Sequence, residues 1–130
     1  EIMGIVRSAL IEVADMPIER AVRKLVTVAI EAHRIDPKLH RVLAEQIPRT
    51  GQLRDVEAFN REVHTLVRAY LESRRSEMRK IDPGLATFIC VSAIEAVAHN
   101  TVLNHAELLS EKTVRTLVDE TTRMVVGYLR

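Results

Sequence analysis

Five histidines, one cysteine and a scatter of carboxylates are the residues of this chain best equipped for chemistry. The histidines are His33, His40, His64, His99 and His105, and Cys90 is the single thiol. Glu95 and His99 stand four residues apart, one helical turn, so their side chains can meet on one face of a helix. Such a pair can begin a metal site or share a proton. A metal site needs a third ligand, and the spacing supplies none, so the pair reads as a buried hydrogen-bonded couple and no metal is expected. His33 and His99 fall where a buried face is expected, while His40 and His64 flank the apolar stripes of their helices. No His-Glu-x-x-His motif, phosphate-cradling glycine loop or nucleophile elbow occurs, and with four glycines a phosphate loop would be hard to build. No catalytic residue and no cofactor is expected.

The segment that carries Glu95 and His99 is the most unusual in the chain. Between Leu85 and Ala98 only Thr87, Ser92 and Glu95 break an apolar run, and a helix apolar all round must be buried all round. On a helical wheel Phe88, Ser92, Glu95 and His99 form one stripe. Ala86, Cys90, Ala93, Val97 and Thr101 form the opposite one, whose small side chains suit close packing. The polar stripe must find partners, because an unpaired buried donor or acceptor costs about 1–3 kcal/mol. Those partners are other side chains, the same helix of a second copy, or a ligand; which stripe meets a second copy stays open. Phe59 and Tyr70 lie three turns apart on another helix with Val63 and Leu66 between them, a face that is either ordinary core or the wall of a cavity between helices. His33 can offer a polar group to the same space. The candidate ligand-binding residues are therefore His33, Phe59, Val63, Leu66, Tyr70, Phe88, Ser92, Glu95 and His99. Tyr128 reads as core.

Composition sets the frame. The chain has 130 residues, 47% apolar and 28% charged, enough for one core. No stretch has the roughly 20 unbroken apolar residues of a membrane span. A net charge of +1 supplies no strong footprint for nucleic acid. The nearest basic cluster, Arg74-Arg75 with Arg79-Lys80, is interleaved with Glu72 and Glu77 and reads as a solvated helix face. Cys90 can form no intrachain disulfide and sits in an apolar run, which fits a reduced, cytoplasmic setting. The chain opens at Glu1, with no initiator methionine, inside an amphipathic pattern (Ile2, Ile5, Val6, Ala9, Leu10, Val13), so a preceding segment is expected.

The elements that must position these side chains are helices throughout, since no stretch alternates with a strand's period of two. A first helix should end near Ala14, before Asp15-Met16-Pro17. Pro17 suits the first turn of a second, with Ile18, Val22, Leu25, Ala29 and Ile30 on its stripe. Asp36-Pro37 and Asp82-Pro83 are matching starts, with Asp capping free N–H groups and Pro at a position that needs no donor. The helix after Asp36 should break at Pro48 and Gly51. From about Leu53 to Lys80 no Gly or Pro intervenes, so a helix of roughly 40 Å is possible. The last helix should start at Ser110 and bury Val114, Leu117, Val118, Thr121, Val125, Tyr128 and Leu129. The expectation is an all-α fold of about six helices in one bundle-like domain spanning residues 1–130. A chain this short has little to cover its last two helices, so a second copy is expected to cover them.

This order of pieces resembles the C-terminal effector-binding and dimerisation domain of TetR-family transcriptional regulators. The resemblance is carried by Ala32-His33-Arg34-Ile35-Asp36-Pro37-Lys38-Leu39-His40-Arg41-Val42-Leu43-Ala44-Glu45-Gln46-Ile47-Pro48-Arg49. With it go Ala93-Ile94-Glu95-Ala96-Val97-Ala98-His99 and the ending from Leu117-Val118-Asp119-Glu120 to Gly127-Tyr128-Leu129. It covers essentially the whole chain, with residues 1–14 matching the helix that links to an N-terminal helix-turn-helix domain not contained in these residues. The resemblance implies a homodimer through residues 84–106 and 110–130, the two helices of each copy forming a four-helix bundle. It also implies a small apolar or amphipathic ligand among the earlier helices, and DNA contact only through the N-terminal domain. The intact protein would be a repressor released by ligand, its reading heads about 34–36 Å apart on DNA. A small all-α enzyme or metal-binding bundle using Glu95 and His99, and a solid structural interaction domain, are the competing readings.

Overall fold

The computed structural model describes residues 2–35 and 50–130, with side chains from Val56 onward in the second stretch. Five α-helices occupy them: α1 (Ile2–Glu12), α2 (Ile18–Ile35), α3 (Thr50–Ser73), α4 (Pro83–Asn104) and α5 (Glu111–Leu129). Single 3-10 turns follow α1 at Val13–Asp15, α3 at Arg75–Glu77 and α4 at Ala106–Leu109. No strand occurs among the described residues, and the fold is all-α. Asp36-Pro37, the helix expected after it, and His40 lie outside the described residues.

Helix α2 is the central post. Its buried residues Ile18, Val22, Val26 and Ile30 follow the helical period exhibited in the sequence, and they pack with Leu71 of α3, Ala86, Cys90 and Ala98 of α4, and Val125 and Leu129 of α5. Helix α1 lies along α2, burying Ala9 and Leu10, while α4 touches α2, α3 and α5. The small-residue stripe of α4 faces inward: Ala86, Cys90 and Thr101 are buried inside this one copy, and Ala93 and Val97 are half-buried. Their small volume lets α4 lie close on its neighbours, because the distance between packed helices follows the side chains at the contact. By length and composition alone α4 could cross a membrane. In the fold its inner face packs against α2, α3 and α5.

The start of α4 is set locally. Asp82 Oδ2 accepts the Leu85 N–H at 2.8 Å and Pro83 occupies the first helical turn. The end of α3 is not set locally. The uninterrupted pattern to Lys80 predicts a longer helix, yet α3 stops at Ser73. There Ser73 Oγ donates to the Tyr70 carbonyl at 2.6 Å, and the chain is pulled out of register by tertiary bonds. The Tyr70 hydroxyl donates to the Met16 carbonyl at 2.6 Å, and Arg74 Nη2 donates to the carbonyls of Met16 and Ala14 at 3.0 and 3.3 Å. Arg79 does the same for the end of α5. Its N–H donates to the Leu129 carbonyl at 2.9 Å, its Nε to the Tyr128 carbonyl at 2.6 Å, and its guanidinium lies 4.8 Å from the centre of the Tyr128 ring. The cluster is largely exposed, as expected, with Arg74 half-buried, and both Arg74 and Arg79 are bonded to carbonyls left over at chain turns.

Candidate ligand cavity

A cavity of about 280 Å³ opens between the helices. Among the described residues its walls are Ile2, Val6 and Leu10 from α1; Ala21, Val22, Leu25, Val28, Ala29, Ala32 and His33 from α2; Phe59, Asn60, Val63, Val67, Tyr70 and Leu71 from α3; Cys90, Val91, Ile94 and Glu95 from α4; and Val125 and Leu129 from α5. The volume is at the small end of the range for sites that enclose a whole small molecule, and a mostly apolar wall with a few polar groups is their usual make-up.

Five of the nine residues singled out from sequence meet on this wall: His33, Phe59, Val63, Tyr70 and Glu95. Four do not. Leu66 is half-buried on α3 but turned from the cavity, since the wall follows Phe59, Val63, Val67 and Tyr70 at steps of four, four and three. Phe88 is 59% exposed, and Ser92 is exposed beside it on the outer face of α4. His99 stands behind the wall, its ring edge-on to that of His33 with centres 5.9 Å apart. The sequence reading missed α1 altogether, and it missed Leu25, Val91 and Ile94. Val6-Leu10 and Leu25-Ala29 carry helical spacing, but periodicity marks the inner side of a helix without telling packed core from cavity wall.

The polar end of the cavity is a three-residue arrangement across two helices. His33 is 3% exposed. Its Nδ1 lies 2.8 Å from the Ala29 carbonyl one turn back, and its Nε2 lies 3.0 Å from Glu95 Oε1. The expected Glu95–His99 couple within one helix is thus replaced by a Glu95–His33 bond between α4 and α2. A carbonyl only accepts, so Nδ1 must carry a hydrogen, and the neutral ring would then turn a bare Nε2 towards the Glu95 oxygen. Two acceptors cannot face each other at 3.0 Å without a proton between them. An ionised Glu95 therefore favours the imidazolium form of the ring. Burial disfavours that charge, but the Glu95 carboxylate and the Ala29 carbonyl outweigh it and raise the His33 pKa above its ordinary value.

Of the other polar side chains on the described wall, Asn60 is a neutral amide, and Tyr70 and Cys90 are uncharged. The Tyr70 hydroxyl gives its hydrogen to Met16, and burial raises its pKa, so it stays a neutral phenol. Burial pushes the Cys90 thiol up to about 11, which leaves it a small apolar side chain at neutral pH. Among the described residues no three His, Cys, Asp or Glu side chains gather as metal ligands would.

A family model described as the tetracyclin repressor-like C-terminal domain matches residues 17–129. The chain belongs to this family. No curated protein and no solved structure matches it. The match runs from the turn before α2 to the end of α5, so the cavity walls of this tetracyclin repressor-like domain lie inside it, except those that α1 supplies.

Proposed function

We propose that this chain is the ligand-sensing, dimerising domain of a cytoplasmic transcription repressor and is not an enzyme. The observation that carries the reading is the cavity, an apolar chamber lined by five helices with a hydrogen-bonded polar end at His33 and Glu95. A solid interaction domain has no use for such a space, and close packing ordinarily leaves few voids larger than a water molecule. Among the described residues no third His, Cys, Asp or Glu joins His33 and Glu95 as a metal ligand would. DNA contact is assigned to a separate helix-turn-helix domain, because Arg74 and Arg79 are engaged within the fold.

The partner is a second copy. Leu85 and Phe88 on α4 and Met124 on α5 are 53%, 59% and 50% exposed. The Arg79–Leu129 backbone bond joins the segment before α4 to the end of α5, and in this reading the three side chains form one contact surface. Single exposed apolar residues are commonplace; several large ones gathered on neighbouring helices mark an interface. Gly127, on the same helix as Met124, has open space where a Cβ would stand, which lets another backbone approach. Ligand would act through its differential affinity for two arrangements of these helices.

Thermal unfolding against a broad library of small apolar and amphipathic molecules tests the sensing role. A true ligand at about a hundred times its Kd adds about 2.7 kcal/mol, several degrees in the melting temperature of a domain this size. A uniformly silent library would instead support the solid interaction domain.

A further inference from the structure

We propose that the cavity takes an amphipathic acid, an apolar body ending in a carboxylate, and that this carboxylate displaces Glu95 from His33 Nε2. The inference rests on the sensing role above and names the chemistry of its ligand. The proton count at His33 is the first ground. With Nδ1–H held by the Ala29 carbonyl, the ring turns Nε2–H towards an anion, so the fixed partner of the site is a cationic donor.

The second ground is an asymmetry in burial. His33 is held inside the protein, whereas the Glu95 side chain is 60% exposed and can hydrate as it leaves. A ligand carboxylate replaces one anion by another at the imidazolium, and no charge is stranded. The opposite arrangement, a ligand cation seated on Glu95, gains little, because an ion pair in an exposed position is screened by water. It would also bring a second cation beside His33. A neutral ligand would leave the buried imidazolium with a weaker acceptor than the one it lost. Among the described residues the rest of the wall offers no second cationic donor, since the Tyr70 hydroxyl is bonded to Met16, the Cys90 thiol is uncharged and Asn60 is a neutral amide. Val6, Val63, Val67 and Ile94 offer an apolar surface to the body of the molecule.

Decanoate, decanol and decylamine share one apolar body and separate the three head-group classes. Their dissociation constants for the purified protein and for its Glu95→Gln and His33→Phe variants are read by calorimetry and thermal shift. Decanoate should bind at least about tenfold tighter than either companion. E95Q, a change at a side chain 60% exposed, should tighten decanoate further, because the internal carboxylate it must displace has lost its charge. H33F should weaken decanoate by about tenfold or more and leave decanol nearly unmoved. Decylamine binding best, with E95Q weakening it, overturns the proposal while leaving the sensing role in place. So does equal binding of decanol and decanoate in all three proteins. Failure of all three probes overturns the proposal as well, and the broader library then decides the sensing role separately.

Discussion

At the scale of the residue, the proton between His33 and Glu95 makes the stability of this domain depend on pH, and its sign follows from the direction of the shift. The His33 pKa in the folded protein lies above its value in the unfolded chain, about 6.5. The folded state therefore holds the proton more tightly. The resulting stabilisation is complete below about pH 6.5 and disappears as pH rises through the folded pKa. Among the described residues, Glu95 and the Ala29 carbonyl favour the charge, and His99 stands edge-on to the ring. Urea unfolding at a series of pH values should show a midpoint that declines as pH rises above about 6.5 in the wild-type protein and a flatter profile in E95Q. An equally steep decline in the variant would place the titrating group elsewhere. Added salt should shrink the difference, since Glu95 is largely in water. His33, Glu95 and His99 can all be picked out from sequence as polar residues on apolar helices. Their pairing cannot, because spacing along one helix reports only neighbours three or four residues away. The bond that matters spans 62 residues.

At the scale of the element, what is local is legible and what is tertiary is not. Asp82-Pro83 announces the start of α4 within two residues, and the bond from Leu85 N–H to Asp82 Oδ2 is the expected cap. Removing it with Asp82→Ala should cost about 1 kcal/mol, seen as a lower denaturant midpoint with an unchanged slope. Helical content by circular dichroism should hardly change, because α4 is secured by packing as well as by its cap. No loss of stability would mean that water replaces the carboxylate at no cost. The end of α3 offers no comparable signal. Ser73 and Arg74 are tolerable helix residues, and only the carbonyls of Ala14 and Met16, nearly sixty residues earlier in the chain, explain why the helix stops. The cavity is illegible for a related reason. Phe59, Val63, Val67 and Tyr70 would show the same spacing against a filled core, and the empty volume depends on how far five helices stand apart.

At the scale of the whole molecule, α4 shows how an apolar circumference divides between two duties. The sequence demands burial on all sides, and one copy of the chain satisfies only the inner half: Ala86, Cys90, Ala98 and Thr101 are covered, while Leu85 and Phe88 are not. The small-residue stripe, an attractive seam for a second copy when read on a wheel, is already occupied by α4's own neighbours. This moves the expected dimer contact to the Phe88 face and changes which substitutions can test it. Val125 looks like an interface residue from its stripe on α5, yet it is 3% exposed and belongs to the core and the cavity wall. A charge there is buried without a partner, so Val125→Glu should abolish cooperative unfolding and say nothing about assembly. Phe88→Glu places the same charge on an open surface of the single copy. It should retain helical content and a cooperative thermal transition, yet sediment near the 14.7 kDa of one chain, where the wild-type protein should sediment near twice that. Its melting temperature should also lose the dependence on protein concentration that a dimer shows. If F88E still sediments as a dimer at low micromolar concentration, the second copy does not sit on the outer face of α4, and the exposed Leu85, Phe88 and Met124 need another partner.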